Sequence, residues 1–154
     1  MEVLGNPSWL WGLSLIVLTM TIHAAAVLIV ALGTTRIRVQ WETRSLHEWN
    51  LIAMQVCAAG VIGLLLAMLH GTESGIWAAA YLWLGAIDSP TDALLYSVDS
   101  MATLGASGLT LQRPWQLMGG LEAVNGMILF GVSTAYFFAV MQMFWSMLAK
   151  YVTP

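Results

Sequence analysis

Residues 91–108 read TDALLYSVDSMATLGASG, and this stretch decides how the rest of the chain is interpreted. Asp92 to Met101 has the length and composition of a short helix, whereas 103–108 carry almost no side chain that a protein core could bury. Within a membrane, non-helical backbone persists only where it is packed in protein or lines a water-filled path. The C-terminal end of a helix carries a partial negative charge that favours a cation beside it. The stretch therefore predicts a re-entrant helix and loop in the wall of a cation pore.

The composition is typical of a membrane protein. Hydrophobic residues make up 59% of the 154 residues and charged residues only 8%, whereas a soluble domain carries about 25% charged residues. The net charge is -3 and the basic residues form no cluster, so nucleic acid is not expected as a partner. Cys57 is the only cysteine, which excludes a disulfide within the chain. We expect an all-α membrane protein whose helices contact the lipid bilayer.

Three segments are apolar and long enough to cross a bilayer. Trp9 to Gly33 is free of charge, and a helix of that length covers about 37 Å, more than the hydrocarbon core of about 30 Å. Trp49 to His70 and Pro114 to Ala149 are the second and third predicted spans, and the proline of the last suits a helix N-terminus. A shorter apolar stretch, 75–87, is too short to span. It is predicted as a separate helix that lies at the outer membrane surface or packs over the helix that begins at Asp92.

The basic residues predict the orientation of the spans. Arg36, Arg38 and Arg44 follow the first span, and basic residues in a short loop mark the cytoplasmic side. The N-terminus is then outside and the C-terminus cytoplasmic. His70 and Glu73, at the far end of the second span, are accordingly expected to face the external solvent.

Ionisable side chains within a span are often functional, and His23 falls in the middle of the first span. One interpretation is a neutral histidine bonded to a neighbouring helix, and the other is a proton or ion site. The remaining histidines, His47 and His70, lie in separate segments, so the sequence has no cluster with metal-ligand spacing. It also has no Ser/His/Asp set, and we expect neither an enzyme nor a cofactor.

Two strings of the sequence resemble a known family. ALLYSVDSMATLG, at 93–105, is similar to the pore helix and the start of the filter of potassium-channel-like proteins. PWQLMGGLEAVNGMILFGVSTAYFFAVMQ, at 114–142, is similar to the inner helix of small bacterial two-pore-type members of that family. The resemblance implies a multi-pass protein of the bacterial inner membrane, with one extra transmembrane helix and a cytoplasmic loop in 1–45 and a pore module in 46–150. The implied parts of that module are an outer helix at 49–70, the outer interfacial helix at 75–87, a pore helix at 91–102, a filter at 103–108 and an inner helix at 114–149.

The implied selectivity filter departs from the family pattern. It consists of Thr103, Leu104, Gly105, Ala106, Ser107 and Gly108. The first three match the start of T-V-G-Y-G, whose carbonyl oxygens replace the water around K+, and here those carbonyls would hold K+ or Na+. The last three replace the tyrosine, the second glycine and the acid that follows. A left-handed backbone at Ser107 would cost about 1–2 kcal/mol, so we predict a wider outer vestibule and poor discrimination between K+ and Na+.

Further site residues follow from the same resemblance. Asp99 stands behind the filter where some family members carry a glutamate. It is either a buried carboxyl, ionised or protonated, bonded to the backbone of 106–108 or a charge that helps to hold cations. Glu122 is expected to bond to the pore helix or to water. Apart from the resemblance, two glycines within the last span indicate either close helix packing or a place where the helix can bend, and are candidate hinges: Gly126 and Gly131. The positions that correspond to the pore lining or gate, with ordinary helix packing as the alternative, are Met127, Phe130, Thr134 and Phe138.

One pore loop supplies a quarter of a ring of carbonyls, so the resemblance implies a homotetramer with closed symmetry. The predicted function is a tetrameric channel that passes the monovalent cations K+ and Na+ through a weakly selective filter. The alternatives are a non-conducting membrane subunit derived from a channel and a channel for another cation. A proton-coupled transporter ranks below these because the sequence has no paired halves. No motif for a soluble ligand is present in the sequence.

Overall fold

The computed structural model describes residues 7–42 and 48–152, and its regular secondary structure there consists of four α-helices. Side chains are described for 7–37, 39 and 52–146. Arg44 and His47 lie outside the described residues, as does the side chain of Arg38. The helices are α1 (Pro7–Glu42), α2 (Glu48–Trp83), α3 (Pro90–Met101) and α4 (Gln116–Val152).

Three of these helices are long and apolar enough to cross a membrane. Large apolar side chains are exposed on each of them, such as Val17 on α1, Val56 on α2 and Met127 on α4. Such a surface is unfavourable in water and is accommodated by hydrocarbon. Residues 7–42 and 48–152 are therefore all-α, with three candidate membrane spans, as predicted. The spans are Pro7–Ile37, Ile52–Trp83 and Gln116–Ser146.

The prediction of two separate helices at 49–70 and 75–87 is wrong, because α2 continues without a break to Trp83. Gly71 and Gly75, which suggested the break, are helical. A glycine within a helix costs only about 1 kcal/mol relative to alanine, and this segment contains no proline. The two glycines therefore weaken the helix locally without ending it.

The glycine that does end α2 is Gly85. Its φ is +64°, and its N–H donates to the Leu82 carbonyl at 3.1 Å. The Ala86 N–H donates to the Tyr81 carbonyl at 2.8 Å. This is the Schellman motif, in which a left-handed residue just past the helix lets the following N–H groups satisfy the last carbonyls. The end of α2 thus depends on one residue that can adopt a positive φ.

The other helix ends also have local causes. α3 begins at Pro90, where proline needs no N–H partner, and the Ser89 hydroxyl caps it by accepting from the Asp92 N–H at 3.4 Å. α1 extends beyond its predicted end at Gly33 to Glu42, since 34–42 contain neither proline nor a further glycine.

The chain divides into two compact units. The division does not follow the predicted boundary between residues 45 and 46, because α1, α2 and α4 each contribute to both units. Unit 1 is formed by Met1–His23 and Leu69–Phe130, and unit 2 by Ala24–Met68 and Gly131–Pro154. Unit 1 contains α3, and its core includes Trp77, Tyr81, Met118 and Leu129. The core of unit 2 is built on Ile62, Val140 and Phe144.

Candidate functional site

α3 is seated closely against α4 within unit 1. A Cβ atom at Gly126 would collide with the backbone carbonyl of Met101, the last residue of α3, and one at Gly119 would collide with the Tyr96 hydroxyl. Small residues at such positions let two helices approach closely in a membrane. Gly126 therefore has a packing role. α4 is continuous through both Gly126 and Gly131, so their role as hinges stays a prediction.

A buried polar network fixes α3 between α2 and α4. The Ser97 hydroxyl on α3 bonds to Glu122 Oε1 on α4, and it also donates to the Ser74 carbonyl on α2 at 2.8 Å. The Tyr81 hydroxyl donates to Glu122 Oε2 at 2.6 Å. Side chains of Ser97, Glu122 and Tyr81 are fully buried. Glu122 is thus bonded to the predicted pore helix, as expected, and a buried carboxyl with partners on both oxygens holds its neighbours in place.

Asp99 binds the loop that follows α3. Its Oδ1 accepts from the Ala106 N–H at 2.9 Å, and its Oδ2 accepts from the Ser107 N–H at 3.1 Å and the Ser107 hydroxyl at 2.8 Å. The predicted contact between this carboxyl and the loop backbone is therefore present at Ala106 and Ser107. Since two of the three donors are backbone N–H groups, the contact fixes the path of the chain as well as the side chains.

These contacts favour ionised Asp99 over the protonated form that the first interpretation left open. The backbone N–H groups of Ala106 and Ser107 lower the pKa of the Asp99 carboxyl below its ordinary value. Donors that point at a carboxylate favour the ionised form. Asp99 is consequently charged at neutral pH, and the loop lies next to a negative charge.

The predicted strain at Ser107 is wrong, because Ser107 does not have a positive φ. The left-handed residues of the loop are Thr103 with φ +57°, Gly105 with φ +63° and Gly108 with φ +69°. Two of the three are glycines, which adopt this conformation without steric cost. The cost of about 1–2 kcal/mol for a residue with a Cβ atom falls on Thr103 instead.

Thr103 has the same position at the end of α3 that Gly85 has at the end of α2. The Thr103 N–H donates to the Ser100 carbonyl at 2.9 Å, and the Leu104 N–H donates to the Asp99 carbonyl at 3.0 Å. These are the two hydrogen bonds of a Schellman motif, which glycine usually completes. α3 is thus capped by a strained threonine where glycine would fit without strain.

The predicted filter and pore-lining residues are accessible in the single chain. Residues 103–106 are exposed, with Leu104 at 70%, and Ser107 is partly buried by Asp99. All four predicted pore-lining side chains are exposed. Met127 and Phe130 belong to unit 1, whereas Thr134 and Phe138 belong to unit 2. α3 also exposes one apolar face, formed by Leu94, Leu95 and Val98.

A second polar cluster joins α1 and α2. His23 Nδ1 lies 2.9 Å from Glu73 Oε1, and His70 Nδ1 lies 3.3 Å from Glu73 Oε2. His23 and Glu73 are buried, with 1% and 0% of their side chains exposed, whereas 12% of the His70 side chain is exposed. One candidate nitrogen or oxygen from each residue lies within 4.8 Å of the others. His23 is bonded to a neighbouring helix, as one of its two interpretations predicted.

The expectation that Glu73 faces the external solvent is wrong, because this side chain is fully buried within unit 1. The expectation that the histidines do not form a cluster is also wrong for His23 and His70. Both errors follow from the break assumed at Gly71. In a continuous α2, residues 70 and 73 are three apart and lie on one helix face, which is the sequence signal for this pair. No sequence spacing indicates that His23, some fifty residues earlier, joins them.

The cluster contacts a predicted pore-lining residue. The rings of His70 and Phe130 stack with their centroids 4.3 Å apart and their planes at 19°. The His23 and His70 rings are 5.2 Å apart and tilted by 44°. Phe130 is 45% exposed, so one of its faces packs on His70 while part of the ring stays accessible.

Comparison with known proteins finds no matching family model, no matching curated protein and no matching solved structure. The assignment of function therefore depends on the geometry of unit 1 and on the sequence.

Proposed function

We propose that this chain is the pore-forming subunit of a homotetrameric cation channel in the cell membrane, with its N-terminus outside. Ions pass along the backbone of 103–105, where carbonyl oxygens from four chains replace the water around K+ or Na+. The permeant cations are the transported substrate, and the proposal requires no cofactor. α3 takes the role of the pore helix, α2 that of the outer helix and α4 that of the inner helix.

The observation that carries the proposal is the left-handed backbone of Thr103. Gly85 forms the same cap on α2 without strain, so a glycine at 103 would cap α3 equally well. Strained backbone that the surrounding structure enforces is concentrated at functional sites. A threonine supplies a hydroxyl oxygen besides its carbonyl, and hard cations take oxygen ligands. The strain is explained if Thr103 provides an oxygen that glycine lacks.

The charge of Asp99 supports the same function. A carboxylate that accepts two backbone hydrogen bonds keeps the loop in one conformation. Its negative charge, together with the negative end of the α3 dipole, raises the local concentration of cations. The second interpretation from the sequence, in which Asp99 helps to hold cations, is thus compatible with its bonds to the loop.

The exposed apolar face of α3 favours an oligomer. α3 is a 12-residue helix, too short to span a bilayer, and Leu94, Leu95 and Val98 on this face are about half exposed in the single chain. A second copy of the chain would cover this face and bring its own loop to the same axis. A closed ring of four is the arrangement that completes the coordination of an ion by one loop from each chain.

The identity of the outer loop residues favours weak selectivity. Ala106 stands in place of the tyrosine that braces the family's filter, and Gly108 in place of the following acid. Fewer rigid dehydrated sites give less discrimination between ions of different size. We therefore propose a channel for monovalent cations with only a modest preference for K+ over Na+.

The test is reconstitution of the full chain into liposomes, with the mass of the purified oligomer measured by native mass spectrometry. We expect a tetramer that releases both K+ and Na+ and a reversal potential close to zero with K+ on one side and Na+ on the other. Asp99→Asn should reduce the flux of both ions. Asp92→Asn, a charge change at the opposite end of the same helix, is the matched control and should leave the flux unchanged.

A monomer would contradict the proposal, as would a flux that Asp99→Asn and Asp92→Asn change equally. A tetramer that passes neither ion would favour the non-conducting subunit instead.

A further inference from the structure

We propose that His23, His70 and Glu73 bind a divalent transition-metal ion, with Zn2+ as the best fit. This site lies in unit 1 between α1 and α2 and is separate from the loop proposed to conduct ions. It is independent of the proposed function, since metal can be bound whether or not the chain conducts.

The distances suit a first-row transition metal. A four-coordinate Zn2+ ion holds its nitrogen and oxygen ligands at about 2.0–2.2 Å, which sets neighbouring ligand atoms about 3.3–3.5 Å apart for tetrahedral angles. His23 Nδ1 and His70 Nδ1 lie 2.9 Å and 3.3 Å from the two oxygens of Glu73, and one ligand atom from each residue falls within 4.8 Å of the others. A small outward movement of the side chains would therefore admit the ion.

The type of ligand selects the class of metal. Two imidazole nitrogens and one carboxylate oxygen suit Zn2+, Ni2+ and Cu2+, whereas Mg2+ and Ca2+ take oxygen ligands almost throughout. Three protein ligands leave one coordination position for water. The site is thus expected to discriminate against the alkali and alkaline-earth ions that a permeation path would carry.

The charge of the cluster needs compensation in a candidate membrane span. Glu73 is fully buried in Ile52–Trp83, and its Oε2 accepts no hydrogen bond from the described residues. A buried carboxylate is costly unless it is paired or binds a metal. A divalent cation between the carboxylate and the two neutral imidazoles would more than offset the negative charge of Glu73, leaving a net charge of +1, and would give Oε2 a ligand bond.

The position of the site indicates the route by which an ion reaches it and the side chains that a bound ion would fix. The His70 side chain is 12% exposed, so the cluster has one edge open to an incoming ion. The same ring stacks on Phe130 of α4 at 4.3 Å. A metal ion on His70 would therefore fix the ring against which Phe130 packs, and would join α1, α2 and α4 through a single point.

The test uses the full chain with its affinity tag removed, in the Cys57→Ser background, since Cys57 is an exposed thiol that binds soft metals. After treatment with a chelator, Co2+ is added as a spectroscopic probe and Zn2+ is then titrated against it. We expect one Co2+ per chain, with the visible absorption of a four-coordinate ion, and displacement by one equivalent of Zn2+. Excess Mg2+ should not displace it.

Variants test the assignment of the ligands. Glu73→Gln retains the shape of the side chain, and His23→Gln removes one nitrogen ligand from a different helix. Each should weaken Zn2+ binding at least about tenfold. Even substitutions of residues that merely hydrogen-bond to a metal ligand lower the metal affinity about 10–100-fold. Asp88→Asn, an exposed acid elsewhere in unit 1, is the control and should bind like the parent.

The proposal is overturned if the parent protein gives no four-coordinate Co2+ spectrum, a result that needs no variant to be folded. It is equally overturned if Zn2+ binds Glu73→Gln and His23→Gln as tightly as the parent. In either case the three side chains form a polar cluster without a metal, in which His23 is hydrogen-bonded to Glu73.

Discussion

Asp99 Oδ2 accepts two hydrogen bonds from Ser107, one from its backbone N–H at 3.1 Å and one from its hydroxyl at 2.8 Å. A single carboxylate oxygen thus binds both the main chain and the side chain of a residue eight positions later. The relationship explains why a short loop of small residues has a defined path. It also makes that path depend on the ionisation of one group.

The loop after α3 should lose its conformation in acid. The pKa of Asp99 is lower in the folded protein than in the unfolded chain because the N–H groups of Ala106 and Ser107 stabilise the ionised form. The stabilisation is therefore complete above pH about 4, the ordinary range for aspartate, and is lost as the pH falls below this through the lowered pKa. Amide proton shifts of Ala106 and Ser107, followed by NMR in detergent micelles, should titrate together in that acidic range.

Asp99→Asn is the control for this pH dependence, since an amide does not ionise there. In this variant the two amide shifts should no longer titrate between pH 2 and 5, a window of about one to two units around the ordinary aspartate value. Titration of the shifts near pH 6 in the parent would contradict the assignment.

Gly126 and Gly131 should respond in opposite directions to the same substitution. Gly126→Ala places a Cβ against the Met101 carbonyl oxygen, a backbone atom that cannot move aside alone. Overpacking of this kind costs about 1–3 kcal/mol. A Cβ at Gly131 meets nothing within 4 Å, so Gly131→Ala should stabilise α4 by up to about 1 kcal/mol.

Unfolding of the two variants by denaturant in mixed micelles measures this difference. If Gly131→Ala raises the stability but abolishes ion flux, its predicted role as a hinge is supported. Equal stability of both variants would contradict the close approach of α3 and α4.

Thr103→Gly should make the protein more stable and less active. The substitution relieves about 1–2 kcal/mol of left-handed strain and loses about 0.5–1 kcal/mol through the greater flexibility of glycine. The net gain in the free energy of unfolding is then between about 0 and about 1.5 kcal/mol. Ion flux should fall, because the variant lacks the threonine hydroxyl.

Gly85→Ala is the matched control, because Gly85 has the corresponding cap position on α2 and open space around it. It should destabilise the protein by about 1–2 kcal/mol. A loss of stability in Thr103→Gly would show that the threonine has a structural role that outweighs its strain.

The parts of the fold that local sequence signals determine were predictable. Long uncharged segments identified three candidate spans, and the composition of 92–101 identified α3, which begins two residues earlier, at Pro90. The contact between Asp99 and the loop was also predicted, as one of the two interpretations that the family resemblance gave for this position. Each of these features depends on residues that are close in the chain.

The features that the sequence did not predict depend on tertiary contacts, or on which of several similar residues ends a helix. Three glycines could have ended α2, and the helix ends at Gly85 rather than at Gly71 or Gly75. That choice then determines whether Glu73 is helical and buried, and so whether it meets His23. The sequence also assigned the left-handed strain to Ser107 by analogy with glycine, whereas the cap of α3 puts it on Thr103.

Thr19 and Asn125 give the most direct test of how α1 joins unit 1. Both side chains are fully buried, and Asn125 Nδ2 donates to Thr19 Oγ1 at 2.8 Å. Thr19→Val keeps the shape of the side chain but leaves the buried amide donor without this acceptor, which should cost about 1–3 kcal/mol of unfolding free energy. Thr21→Val is the matched control, because the Thr21 hydroxyl is exposed and bonds within its own helix, to Val17 O at 2.7 Å.

The Thr21 variant should change the stability by no more than about 0.5 kcal/mol. Combining Thr19→Val with Asn125→Leu should recover most of the lost stability, since replacing both partners by apolar groups is nearly neutral. If Thr19→Val and Thr21→Val have the same effect in denaturant unfolding, the hydrogen bond does not hold α1 to α4, and α1 joins unit 1 through apolar packing alone.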